Sequence, residues 1–132
     1  MHEFSLRVWY EDTDLAGIVY YANYLKFIER GRSDWVAACG IDQIALRDQQ
    51  DIVFAVRRVE ADYLRPAKFQ DALTVTTTLT SVTGARIVLD QEVRRQDETL
   101  FRATVTLVCL TGAGQASRIP AEIRARLAPS LH

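Results

Sequence analysis

Glu11-Asp12-Thr13-Asp14-Leu15-Ala16-Gly17-Ile18-Val19-Tyr20-Tyr21-Ala22-Asn23-Tyr24 joins an alternating segment to an amphipathic one, and its reading decides the fold. Upstream, Leu6, Val8 and Tyr10 alternate with Arg7, Trp9 and Glu11, the period of a strand over 4–11. Downstream, Tyr24, Phe27, Ile28, Gly31, Trp35, Val36 and Cys39 recur at helical spacing. That stripe predicts a helix over 22–39, with Gly40 free to take the positive φ of a C′ residue. The stripe is wide, so a sheet is expected to cover the helix. Gly31 lowers helix propensity and implies a close backbone approach at that point.

The remaining segments read as a short helix near 42–48 and four long strands. Ile52 to Val56 is apolar on both faces, and past Arg57 only Val59, Ala61 and Tyr63 point inward. Leu73, Val75, Thr77 and Leu79 alternate with threonines; Ile87, Leu89 and Val93 share a phase, as do Phe101, Ala103, Val105, Leu107 and Cys109. Thr83-Gly84 and Gln96-Asp97-Glu98 read as hairpin turns. Arg65-Pro66-Ala67 interrupts the ladder. A terminal helix near 120–127 opens at Pro120. One apolar helix beside a five-stranded antiparallel meander packs economically if the sheet curls around it, giving a single α+β domain over 1–132. Val88, Val108 and Leu110 on the outer face, together with an exposed edge, predict sheet-to-sheet or edge-to-edge dimerisation.

Composition excludes several classes. A formal net charge of −1 gives no basis for nucleic-acid binding. The N-terminal residues lack the apolar core of a secretory signal, and no stretch approaches the ~20 apolar residues of a membrane span. Cys39 and Cys109 fall on predicted buried faces and read first as packing residues, with a single disulfide the alternative; a reducing cytoplasm fits the first reading. The only histidines, His2 and His132, stand at opposite ends, where rigid placement is not expected. A Ser-His-Asp or Cys-His site, a transition-metal site and a phosphate-binding glycine loop are therefore poorly supplied, and no cofactor is expected.

Carboxylates, hydroxyls and backbone dipoles remain. Asp12 and Asp14 lie at a strand-to-helix junction. Turn chemistry is the plainer reading of both. The alternative is a partly desolvated carboxylate serving as nucleophile, or as general base toward water. Tyr20, Tyr21 and Tyr24 read first as packing at a helix start. The backbone N–H of Tyr21 lies where first-turn donors lack intrahelical partners and an oxyanion is welcome. Asn23 is also a competent N-cap, which would move that boundary by two residues. Arg57, Arg58, Arg65 and Lys68 are cations suited to the phosphates of an anionic ligand, or else a solvated strand face. Glu29 faces either the site or solvent.

The run from Tyr10 to Arg30 resembles the signature of hotdog-fold acyl-CoA thioesterases. It is most similar to the YbgC type, associated with the bacterial Tol-Pal system, within the 4-hydroxybenzoyl-CoA thioesterase family. The likeness continues through Phe54-Ala55-Val56-Arg57-Arg58, Asp62-Tyr63-Leu64-Arg65-Pro66-Ala67 and Thr104-Val105-Thr106-Leu107-Val108-Cys109. It implies that Asp14 is the catalytic carboxylate and that the Tyr21 N–H polarises the thioester carbonyl. Many YbgC-type members carry histidine where this chain has Tyr21, so the backbone role is retained without an imidazole. The resemblance further implies a metal-free homodimer, assembled into a homotetramer, with sites between subunits and envelope-associated partners.

The expected activity is hydrolysis of an acyl-CoA thioester to free acid and CoA. Substrate contacts are expected at Gly17, Ile18, Val19, Tyr24, Arg57 and Arg65. The chemistry requires the Asp14 side chain in a dry pocket opposite the first turn of the helix. A non-catalytic acyl-binding or scaffold protein of an envelope-associated complex is the alternative. A hotdog dehydratase is disfavoured for want of an interior histidine.

Overall fold

A computed structural model describes residues 1–131. Its elements are β1 (His2–Arg7), α1 (Asn23–Ala38), α2 (Gln43–Gln50), β2 (Val53–Tyr63), β3 (Ala72–Val82), β4 (Ile87–Arg95), β5 (Glu98–Leu110), a two-residue β6 (Ala116–Ser117) and α3 (Ala121–Leu127). The five long strands form one antiparallel sheet in the order β1-β3-β4-β5-β2, with β6 pairing to the end of β5. α1 lies across β1, β3 and β4. This is the hotdog arrangement expected above.

α1 forms where the apolar spacing put it. Tyr24, Phe27, Ile28, Gly31, Trp35 and Val36 are all buried, and Gly40 takes φ 80° just past the C-cap. Gly31 earns its place sterically: a Cβ there would collide with Val75 Cγ1 and stand 3.0 Å from Val75 Cβ on β3. The core beneath is built from Phe27, Ile28, Leu73, Val75, Leu79, Ile87, Leu89, Val93, Phe101 and Val105. Asp42 caps α2, its Oδ1 accepting from the N–H groups of Ile44 and Ala45 at 3.0 and 3.1 Å.

Several expectations shift. β1 stops at Arg7, because Tyr10–Asp12 closes into a 3₁₀ turn, so the alternation through Glu11 is not all strand. The sheet is not a sequential meander. β2 pairs with β5 at one edge, and the segment through Pro66 carries the chain back to β3 in the interior. The two hairpins fall where the turn residues predicted, with Thr83 Oγ1 accepting from Ala85 and Arg86 N–H and Gln96 at φ 54°. Cys109 is fully buried, but Cys39 is only partly so. His2 is held after all: it lies in β1 and its ring Nε2 is 2.7 Å from Asp34 Oδ2 on α1.

β2 carries a bulge between Val56 and Arg58. On one side of it Phe54 and Val56 stand opposite Cys109 and Leu107. On the other, Val59, Ala61 and Tyr63 stand opposite Val105, Ala103 and Phe101. The extra residue, Arg57, resets the phase so that both halves keep their apolar side chains on the helix side. That side is uncovered at this edge: Val56, Val59 and Tyr63 are 46, 38 and 49 % exposed.

Candidate active site

The junction between β1 and α1 folds around Asp12. Its carboxylate is buried and its Oδ2 accepts the Trp9 N–H at 2.8 Å. Its carbonyl accepts both the Tyr20 N–H and the side-chain amide of Asn23, each at 2.9 Å. One acid therefore fixes the entry turn and the approach to the helix. Asn23 is not the N-cap. That position falls to Ala22, which caps nothing with its side chain, and Asn23 opens the helix with its amide turned back to Asp12.

Asp14 starts a tight loop. Its N–H donates to Ile18 O at 2.9 Å, its carbonyl accepts from Gly17 N–H at 3.0 Å, and its Oδ1 accepts from Ala16 N–H at 2.9 Å. Gly17 takes φ 79°, a conformation L side chains resist. The Asp14 carboxylate is exposed, so the dry pocket expected around it is not formed by one chain. The reason is local: Asp14, Leu15, Ala16 and Gly17 form a loop that is itself exposed.

The loop is clamped by the crossover from β2 to β3. Ile18 bridges Lys68, Val19 N–H donates to Ala67 O at 2.9 Å, and Ala67 N–H donates to the Tyr24 hydroxyl at 3.0 Å. The Tyr24 ring stacks on Phe101 at 5.1 Å and meets Tyr63 edge-on at 5.5 Å. Burial pushes the Tyr24 hydroxyl above the ordinary tyrosine range, so it stays a neutral phenol. Between Asn23 and Asp12 the chain turns through Tyr20, Tyr21 and Ala22. Among the described residues, no acceptor stands within hydrogen-bonding reach of the Tyr21 or Ala22 N–H.

A cleft of about 300 Å³ opens beside this turn. Ile18, Val19, Tyr21, Tyr24 and Arg65 line it, as do Tyr63, Leu64 and Pro66, which the sequence did not single out. Tyr63 was visible as the last inward residue of β2, but nothing in the periodicity tied it to the helix start. Gly17 and Arg57 do not line this cleft; Gly17 shapes the Asp14 loop and Arg57 occupies the β2 bulge. Of the four cations considered for phosphates, only Arg65 reaches the cleft. It sits 3.1 Å from Glu98, which also binds Arg95 at 2.7 Å, and Arg95 in turn holds Asp71 at 2.7 Å. Arg58 pairs with Glu60 at 3.4 Å. Glu29 accepts the Ser33 hydroxyl at 2.8 Å and lines a separate cavity of about 240 Å³ with Arg32, Val36, Phe54 and Leu107. Among the described residues, no three His, Cys, Asp or Glu side chains are grouped to hold a metal ion.

The family model described as "Thioesterase superfamily" matches residues 16–101. The chain belongs to that superfamily. It is 37 % identical to the Haemophilus influenzae protein named "Acyl-CoA thioesterase YbgC", over 92 % of this chain and 90 % of that one. The crystal structure of a "Probable Thioesterase from Bartonella henselae" superposes with a TM-score of 0.87 at 34 % identity, covering 90 % of this chain and 98 % of that one. The fold is also that of the hypothetical protein TT1821 from Thermus thermophilus, with a TM-score of 0.91 at 23 % identity over 98 % of this chain and 99 % of that one. The superfamily match spans the turn, the helix and the clamp, and it begins two residues after Asp14. Among the described residues, no helix is long and apolar enough to cross a membrane.

Proposed function

We propose that this chain is an acyl-CoA thioesterase in which Asp14 supplies the carboxylate and the Tyr21 N–H receives the oxyanion. The observation that supports the reading most is the pair of unpartnered N–H groups at Tyr21 and Ala22, of which Tyr21 lines an aromatic cleft. Such donors are worth most where charge develops in the transition state and water is excluded. Asp14 attacks the thioester carbonyl, or takes a proton from the water that does. The carbonyl oxygen gains negative charge against the turn, and collapse expels the CoA thiolate; on the water route this leaves the free acid, and on the direct route it leaves an acyl–Asp14 anhydride that water then hydrolyses to the free acid and the restored carboxylate. Ile18, Val19 and Tyr24 contact the substrate in the cleft, Gly17 shapes the loop that presents Asp14, and Arg65 and Arg57 meet the anionic end of CoA. Family membership and the 37 % identity to a protein named as an acyl-CoA thioesterase support the substrate class.

A second copy of the chain completes the site. The uncovered concave face of β2 and the exposed apolar residues around Asp14 are surfaces a partner would bury, drying the carboxylate. We take the assembly to be a homodimer paired along β2, and two such dimers to form a homotetramer. In this reading the enzyme works in the cytoplasm, where Cys39 and Cys109 stay as thiols, and it serves envelope-associated partners of the Tol-Pal kind.

Asp14→Asn keeps the size of the side chain and its bond to Ala16 N–H while removing the base. Thiol release from a panel of acyl-CoAs is expected to fall by about 100-fold or more. Near-normal turnover in that variant rejects the assignment. One observation favours a different reading: in a lone chain Asp14 is exposed and half spent on its own loop. A non-catalytic acyl-binding protein would bind acyl-CoA in the same cleft and release no thiol, so the wild-type panel separates the two.

A further inference from the structure

The turn that carries the unpartnered N–H groups is tied at its flanks, by Tyr20 and Asn23 to the Asp12 carbonyl, but no N-cap side chain engages its own donors. Ala22 occupies the N-cap position without a side-chain bond, and an uncapped helix start frays. Leu25 N–H, third in the helix, bonds to the N-cap carbonyl of Ala22 at 3.2 Å, and Tyr21 lies outside the helix, so its carbonyl receives no intrahelical donor. The Tyr21 carbonyl is left for another donor, and the Tyr63 hydroxyl fills the role from across the cleft at 3.0 Å.

The Tyr63 ring is wedged. Phe101 meets it at 5.0 Å, Tyr24 at 5.5 Å and Tyr21 at 6.2 Å, all near edge-to-face. A side chain so braced loses little further freedom in making its bond. We infer that Tyr63 is a positioning residue for the oxyanion turn, its hydroxyl fixing the plane of the Tyr21–Ala22 peptide; this rests on the catalytic reading above. Two effects follow from one bond. The peptide plane is pinned, which sets the direction of the donors on either side of it. A hydrogen bond accepted by a peptide carbonyl also polarises the N–H of the same peptide, here that of Ala22, toward a negative ligand. Burial and the neighbouring Tyr21 raise the Tyr63 hydroxyl above the usual tyrosine range, so it remains a donor at neutral pH.

The role is distinct from packing, and Tyr63→Phe separates them because it keeps the ring and all three aromatic contacts. Steady-state kinetics on the full chain, with the acyl-CoA that the wild type hydrolyses fastest, should show kcat lowered about three- to tenfold, the scale of one hydrogen bond. KM should stay within about twofold, because the turn is asked to bind the transition state and not the ground state. Amide exchange followed by ¹⁵N NMR should quicken at Tyr21 and Ala22 and not in β3 to β5. An unchanged kcat, or a loss confined to KM, overturns the positioning role while leaving the thioesterase reading intact. A wild-type chain that releases no thiol from any acyl-CoA removes both.

Discussion

Gln91 offers the sharpest test of how the helix is seated. It lies in β4 opposite Thr77 of β3, is 0 % exposed, and points its amide at α1. Nε2 donates to Ile28 O and to Thr77 Oγ1, each at 2.9 Å, and Oε1 accepts from Arg32 Nη1 at 3.0 Å. Burial lowers the basicity of Arg32, and Gln91 Oε1 is an acceptor for its guanidinium. Gln91→Met keeps the length and bulk of the side chain and deletes all three bonds. The two neutral bonds contribute about 1 kcal/mol each and the one from the guanidinium about 2 kcal/mol, against about 1 kcal/mol returned by the added apolar surface. The expected net loss is about 3 kcal/mol. With a urea m-value near 2 kcal/mol/M, the midpoint should fall by about 1.5 M at unchanged slope. Both proteins must be melted at one chain concentration, since association would add its own stability. A midpoint shift below about 0.5 M would refute the claim that this amide, and not apolar packing alone, fixes the helix on the sheet.

Two further outcomes follow from burial and exposure. The Cys109 thiol is fully buried and pushed up to about 11, so at pH 8 a thiol reagent should modify Cys39 in the native chain and reach Cys109 only after unfolding; equal native rates would contradict the core placement. Val59→Lys sets a charge on the uncovered face of β2, and should lower both the assembly state in analytical ultracentrifugation and thiol release from acyl-CoA, whereas a fully active monomer would dismiss the interfacial site.

The helix and the faces of the strands were legible because periodicity encodes them. The stripe from Tyr24 to Val36 is buried throughout, and Val59, Ala61 and Tyr63 share the inward face as read, though the bulge that places them there at Arg57 was not foreseen. Strand order was not legible, because alternation says which face a residue occupies and nothing about its neighbour; Pro66 marked an interruption, not a crossing from one edge of the sheet to its interior. The end of β1 was overrun for a similar reason. Trp9, Tyr10 and Glu11 continue the alternation, but the Asp12 carboxylate captures the Trp9 N–H and closes a turn. The two acids also look alike in sequence. Only the turn geometry gives the buried structural role to Asp12 and leaves Asp14 facing outward. The link from Tyr63 to the helix start escaped notice because its partner is a carbonyl, and backbone groups leave no trace in composition.

The bare face of β2 follows from where α1 sits. α1 lies over β1, β3 and β4 and reaches β5 through Tyr24 on Phe101, so part of the β2 edge extends beyond it. The bulge at Arg57 then becomes informative. An edge strand facing water would gain nothing from resetting its phase, yet the extra residue keeps Val59, Ala61 and Tyr63 on the concave side, where this chain leaves Val59 and Tyr63 substantially exposed. Apolar side chains held in register on an uncovered face are what a strand shows when it is to be buried by something outside its own chain. In the proposed dimer that cover is the second subunit, and the same contact dries the cleft where Tyr63, Tyr21 and Arg65 meet. On that proposal catalysis and assembly are coupled, because the surface proposed to recruit the partner ends in the residue inferred to brace the oxyanion turn.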